Sequence, residues 1–330
     1  MTPPIALSCG EPAGIGPEIA ARAWAELRGD LPFVYIGDAR HLPAGTAHAR
    51  IDDPSEAAVV ARHALPVMQH DFPSPRRPGR IDPANAQAVI DVITRGVGLV
   101  QSGAARALCT APINKQALKE GAGFAYPGHT EFLAALAGVE TVVMMLACEA
   151  LRVVPATIHI PLREVPAALD AQDLRETIRM THSALQRDFG IENPRIAVAG
   201  LNPHAGEGGT MGDEEINLVT PVLDALRAEG MTILGPLPAD TMFHQQARAR
   251  YDAAVAMYHD QALIPIKTLD FARGVNVTLG LPFVRTSPDH GTALDIAGRG
   301  DADARSLIEA LKIARRMASA RQGNRAEPGR

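Results

Sequence analysis

Three histidines, His159, His204 and His259, each follow a short apolar run and sit in a polar turn marked by glycine or proline: PATIHIPL, GLNPHAGEGG and AMYHDQ. A single histidine in such a place is most simply a hydrogen-bonded core or rim residue. Three in equivalent contexts, far apart in the chain, carry a sharper expectation if the fold brings them together. Three neutral imidazoles then form a divalent-metal site with an open position, the arrangement used by catalytic zinc. A hydroxyl bound at that position loses its proton more readily, and a carbonyl or enolate is stabilised there. Asp260 beside His259 and Asn202 near His204 are candidates to orient the rings, with turn formation as their equal alternative.

Two further stretches suit a nucleotide. GEPAGIGPE places Gly10, Gly14, Gly16, Pro17 and Glu18 between an apolar run and a helical segment, which permits close backbone approach. Its spacing is not that of a dinucleotide fingerprint, and many such turns only join a strand to a helix. RTSPDHGTALDIAGRGDAD, from Arg285, reads as a loop with little apolar content to bury. Its His290, Gly291, Thr292 and Asp295 offer amides to pyrophosphate or ribose oxygens and a carboxylate to a ribose hydroxyl; the alternative is a mobile surface loop. Donors for a phosphate or carboxylate recur as well. His129 and Thr130 in GHTEF stand at a helix start, where free amides and the dipole favour an anion; Arg285 offers a planar fork, and Lys267 and Asn276 add to the set. Solvated surface positions are the ordinary alternative for such side chains.

The elements that must position these residues alternate between short β-branched runs and longer segments of helical period, which predicts an α/β fold with helices packed on a sheet. Strands are expected at Ile5 to Ser8, Phe33 to Gly37, Arg106 to Thr110, Thr141 to Leu146, Arg195 to Leu201 and Asp252 to His259. Pro17 opens a helix through IAARAWAEL, and further helices are expected over Asp213 to Glu229 and Asp303 to Arg321, with a frayed tail after it. Phe72 to Pro83, rich in proline and arginine, reads as a surface connection without a function. In open α/β sheets ligands gather at the carboxyl ends of strands, where the three histidines fall.

The chain has 330 residues, 46% of them hydrophobic, enough for two ordinary domains. Its three cysteines, Cys9, Cys109 and Cys148, form no C-x-x-C pair, so neither a disulfide framework nor a thiolate zinc site is expected. There is no secretory signal and no apolar run long enough for a membrane span, so a cytoplasmic protein is expected. A net charge of -5 without a basic block argues against nucleic acid and for small-molecule partners.

GEPAGIGPEI, APINK, GHTEFLA, LNPHAGEGGTMGDEE, GPLPADTMF, YHDQALIPIK and NVTLGLPFVRTSPDHGTALDIAG follow one another in order. Together these blocks resemble the PdxA family of 4-hydroxythreonine-4-phosphate dehydrogenases, from Gly10 to Gly298. The resemblance implies an isocitrate/isopropylmalate dehydrogenase-like fold, two α/β domains flanking an active-site cleft, in a homodimer whose sites use residues of both subunits. It places residues 1–128 with 291–330 in a first domain, and 129–290 in a second carrying most metal and substrate ligands and the dimer interface. It implies oxidation of 4-phosphooxy-L-threonine by NAD, or NADP, followed by decarboxylation, in vitamin B6 biosynthesis. By the same resemblance His159, His204 and His259 are the metal ligands, for zinc first, with magnesium, cobalt or manganese as alternatives. His129, Thr130, Lys267, Asn276 and Arg285 contact substrate. His290, Gly291, Thr292 and Asp295 hold the adenosine side of the cofactor, and Gly14, Gly16 and Glu18 lie near it. Lys267 is the candidate to assist proton transfer, with plain anion binding as its alternative. Related enzymes of 4-phospho-D-threonate or 4-phospho-D-erythronate remain the competing substrate class.

Overall fold

The structure, a computed structural model, describes residues 2–326, with side chains through residue 323. Twelve strands are present among them. In chain order they are β1 (Ile5–Ser8), β2 (Phe33–Gly37), β3 (His48–Arg50), β4 (Leu65–Gln69), β5 (Ala107–Thr110), β6 (Val143–Ala147), β7 (Arg152–Pro155), β8 (Arg195–Ala199), β9 (Thr232–Leu237), β10 (Ala253–Ala256), β11 (Val275–Leu279) and β12 (Arg285–Pro288). Together with the intervening helices they bear out the α/β class. The chain divides into two compact units, Met1–Val142 with Leu281–Ser319, and Val143–Gly280 with Ala320–Arg330. These divisions differ from 128/129 and 290/291, the positions expected from sequence. The helix His129–Ala137 packs on the helix Ala86–Gln101 of the first unit, and β12 pairs with β5, so both segments fall there.

In the first unit the strands run β3-β4-β2-β1-β5-β12, every recorded pair parallel. Parallel strands of this kind are covered on both faces, which is why β1, β2 and β5 are fully buried and read in sequence as unbroken apolar runs. β12 corrects the sequence reading. Arg285, Thr286, Ser287 and Pro288 were expected in a loop, yet all four are buried in a strand whose register sets Arg285 against Leu108 and Thr286 against Cys109. A polar strand survives burial because its side chains find partners: Thr286 Oγ1 donates to Ala310 O at 2.9 Å and Arg285 Nη2 to Thr110 Oγ1 at 2.7 Å.

In the second unit the order is β11-β6-β7-β10-β8-β9. β6 is antiparallel to both β11 and β7, whereas β7, β10, β8 and β9 are parallel, so the ends of β7, β10 and β8 point the same way. Small residues at the centre, Ala197, Ala199, Ala254 and Ala256, let the covering helices approach closely. The helix expected over Asp213 to Glu229 begins instead as a wider π-helical turn, Glu215–Val219, and continues as an α-helix, Thr220–Ala228. The last helix is Arg305–Ala326, started by Asp303, whose Oδ1 accepts from Arg305 N at 2.9 Å; it continues past Arg321, where fraying was expected. Among the described residues no helix is long and apolar enough to cross a membrane.

Candidate active site

His159 follows β7, and His259 follows β10 as the first residue of the helix His259–Leu269. The segment after β7 stays alongside the end of β10: Ala156 N donates to Ala256 O at 2.7 Å, and Thr157 Oγ1 to Met257 O at 2.8 Å. It then turns at His159, a non-glycine residue with φ 58°. The two imidazoles meet with ring centroids 5.8 Å apart, lining a 290 Å³ pocket with Thr157, Tyr258 and Asp260. His259 Nδ1 lies 2.7 Å from Asp260 Oδ1. With a proton on Nδ1 that contact would leave the Nε2 lone pair for a metal, the usual device for orienting a metal-binding histidine. Two imidazoles so arranged fit two corners of a divalent-ion site.

The third does not join them. Among the described residues no group of three or more His, Cys, Asp or Glu side chains stands where it could hold one metal ion, so convergence within one chain extends to His159 and His259 only. His204 is carried on its own turn after β8, where six consecutive residues, His204 to Gly209, have positive φ. His204, Ala205 and Glu207 carry a Cβ, and each resists this conformation by roughly 1–2 kcal/mol. The Asn202 side-chain amide turns instead to two carboxylates, donating to Glu214 Oε2 at 2.6 Å and Glu215 Oε2 at 3.0 Å. The ends of β8 and β10 are tied by Gln261, which sequence reading passed over: its Oε1 accepts from Met257 N at 2.7 Å and its Nε2 donates to Gly200 O at 2.8 Å.

Also in the second unit, Lys267 lies on the His259–Leu269 helix with its ammonium 5.3 Å from the Phe271 ring centroid. Asn276, on β11, has a buried Oδ1 with no partner among the described residues. A buried carbonyl oxygen in that state is an acceptor waiting for a donor.

In the first unit, His129 and Thr130 open the helix His129–Ala137, whose N-cap Gly128 offers no side-chain cap. The free amides there favour an anion. His129 Nε2 is buried without a partner among the described residues, and Arg285 is only 2% exposed. Burial, then the cations Arg285 and Lys115, hold the His129 imidazole well below the ordinary histidine range. Burial also lowers Arg285 to about 10. Lys115, of the APINK segment, is a neighbour that sequence reading did not single out; its Nζ stands 3.4 Å from where a Cβ on Gly128 would be.

His129 therefore links stability to pH. The unfolded chain takes up a proton near pH 6.5 and the folded chain does not, so the His129 contribution is complete above that value. It is lost as pH falls toward the depressed folded value, with a slope of at most about 1.4 kcal/mol per pH unit. His41 and His182, also held low by burial, act in the same direction. His129→Gln is expected to reduce the loss of stability between pH 7 and pH 5; urea titrations at both values check this, and an unchanged difference would show that His129 titrates normally.

The two nucleotide-suited stretches lie against each other within the first unit. Ile15 N donates to Thr292 O at 3.0 Å, and a Cβ on Gly14 would stand 2.7 Å from that oxygen, so only glycine fits. Gly16 is buried nearby, while Gly291 and Asp295 are exposed. His290 Nδ1 faces Gly291 O at 3.0 Å, and its Nε2 is buried without a partner among the described residues. Glu18 is committed inside the unit: Oε1 accepts from Gly298 N at 2.7 Å and pairs with Arg76. Arg76 also donates from Nε to Pro12 O at 2.7 Å and from Nη2 to Gly14 O at 3.1 Å. The Phe72 to Pro83 connection thus contains the clamp of the glycine-rich turn, contrary to its reading as plain surface. Arg76→Ala leaves the Glu18 carboxylate buried without its cation and is expected to lower unfolding free energy by about 3–5 kcal/mol. Denaturant unfolding checks this, and the double variant with Glu18→Gln should recover part of the loss.

The PdxA family, described as pyridoxal phosphate biosynthetic protein PdxA, matches residues 30–314. A 4-hydroxythreonine-4-phosphate dehydrogenase of Roseobacter denitrificans is 64% identical over 319 residues, covering 96% of this chain and 98% of its own length. Another, of Paracoccus denitrificans, is 63% identical over 322 residues, covering 96% and 98%. The crystal structure of 4-hydroxythreonine-4-phosphate dehydrogenase from Klebsiella pneumoniae superposes with a TM-score of 0.87 at 42% identity, covering 96% of this chain and 99% of that one. Likeness of this degree along nearly the whole length, over the same motif blocks that carry the histidines and the anion donors, means that this chain belongs to the family of the pyridoxal phosphate biosynthetic protein PdxA.

Proposed function

We infer that the chain oxidises 4-phosphooxy-L-threonine in pyridoxal 5'-phosphate biosynthesis, and family membership is the observation that carries this reading. The C3 hydroxyl gives up its proton and its carbon gives a hydride to NAD or NADP, leaving 2-amino-3-oxo-4-phosphooxybutanoate. That β-keto acid loses carbon dioxide to yield 3-amino-2-oxopropyl phosphate. Arg285, His129, Thr130 and the amides at the start of their helix bind the substrate's phosphate or carboxylate. Asn276 Oδ1 accepts from a substrate hydroxyl or ammonium, and Lys267 moves the C3 hydroxyl proton. His159 and His259 hold a divalent ion, zinc first, and His204 of a second copy completes the set, which makes the working enzyme a homodimer. An ion held there supplies polarisation of the C3 oxygen, which assists both oxidation and decarboxylation. Gly14, Gly16 and the His290 to Asp295 segment receive the cofactor, with Glu18 fixing the turn from behind. Three free, buried cysteines suit a reducing cytoplasm.

The test is NADH formation by the metal-loaded protein with 4-phosphooxy-L-threonine against 4-phospho-D-threonate, with and without chelator. Chelator-sensitive turnover favouring the first substrate is expected. Preference for the second would move the chain to sugar-acid oxidation, and turnover indifferent to chelator would remove the metal from the reading.

A further inference from the structure

Glu215 has no part in the roles above, yet it is 3% exposed and both of its carboxylate oxygens are engaged by the chain that leads into His204. Oε1 accepts from Asn202 N at 2.8 Å and Oε2 from Asn202 Nδ2 at 3.0 Å. A Cβ on Gly206, at φ 79°, would stand 2.6 Å from Oε2, so the carboxylate occupies the hollow of the left-handed turn itself. Backbone bonds at the ends of the turn run from Ala205 N to Asn202 O at 3.0 Å, from Thr210 N to Glu207 O at 3.4 Å and from Met211 N to Gly206 O at 3.1 Å. His204, Ala205 and Glu207, set among glycines, do not keep this conformation unaided, and such outliers persist only where the surroundings over-determine them. Glu215 itself opens the π-helical turn that leads into the helix Thr220–Ala228.

We propose that Glu215 is a positioning residue for His204, its carboxylate setting the left-handed turn that presents this imidazole to a divalent cation. The inference rests on the reading of His204 as a metal ligand. A carboxylate is required because Asn202 directs two donors at it, the backbone N–H and the side-chain amide. The amide of Glu215→Gln has nearly the same size but only one acceptor, and must set a donor against a donor.

The experiment measures zinc affinity of the full chain by competition with a chromophoric chelator, for the wild type, Glu215→Gln, His204→Ala and the double variant. Glu215→Gln is expected to weaken zinc binding roughly 10–100-fold, the usual effect of losing a group that orients a ligand. The double variant should bind no more weakly than His204→Ala alone, because a residue that acts through His204 has nothing left to position. Glu215→Asp, which keeps the charge but shortens its reach to Asn202 N and Nδ2, should weaken zinc binding in the same way, and it decides the matter if Glu215→Gln fails to fold. Wild-type affinity in Glu215→Gln, or in Glu215→Asp where it alone folds, overturns the inference. A Glu215→Gln loss that adds in full to that of His204→Ala also overturns it, since Glu215 would then support the unit in general. Undiminished zinc affinity in His204→Ala would remove the ligand reading beneath it.

Discussion

His259→Ala is expected to lower kcat/KM by about three orders of magnitude or more, roughly 4 kcal/mol of transition-state stabilisation, while the metal-free protein keeps its melting temperature within a few degrees. The asymmetry follows from where the ring sits. His259 begins a helix, is half-buried, and its recorded side-chain contacts are with Asp260 and the His159 ring, so alanine removes no core packing and leaves the helix backbone as it was. What alanine removes is one of the two imidazoles that meet where the chain leaves β7 and β10. Metal content measured beside activity separates the causes: the variant should lose bound zinc and turnover together. Asp260→Asn, which weakens the hold on the ring's Nδ1 proton, should show a milder version, about 10–100-fold in metal affinity. A His259→Ala protein with full zinc content and wild-type turnover would remove the metal site from the reaction.

What sequence could and could not show divides along physical lines. β1, β2, β5, β8 and β10 were readable because parallel strands covered on both faces need continuous apolar runs. β12 was not, since RTSP is buried through polar partners far away in the chain, a satisfaction that local pattern does not record. Arg76 was missed for the same reason: an arginine in a proline-rich stretch looks solvated until Pro12, Gly14 and Glu18 are seen around it. The histidines were readable as strand-end residues, and the strand order β7-β10-β8 does place their strands side by side. Their convergence was not readable, because loop conformation decides it. The glycines of PHAGEGG announce a tight turn, but nothing local says that His204, Ala205 and Glu207 would also become left-handed; that depends on Glu215, which lies further along the chain.

Arg285→Met should raise the KM for the phosphorylated substrate by about 100-fold, within the 2–5 kcal/mol typical of truncating a buried charged group that pairs with a ligand. The KM for NAD should stay within about threefold, because the lost interaction belongs to substrate binding alone. Stability should fall little, because the loss of the bond to Thr110 Oγ1 is offset by relief of the guanidinium's desolvation. Burial already lowers the Arg285 guanidinium to about 10, so its charge is held at a cost in the folded protein, and methionine fills similar space without that cost. An anion arriving beside Arg285 relieves the cost, which is why a desolvated arginine beside the buried His129 Nε2 makes a stronger phosphate or carboxylate site than a solvated one. Arg285→Lys should recover little, since a point charge cannot reproduce the fork that also donates to Thr110 Oγ1. Thermal melts with inorganic phosphate give an independent reading: the wild type should be stabilised by RT ln(1 + [L]/Kd), rising with phosphate concentration, and the methionine variant should melt at the same temperature with or without the ion. A methionine variant that lost stability while keeping its substrate KM would make Arg285 a structural residue of β12 and leave His129, Thr130 and Lys115 as the anion donors of the first unit.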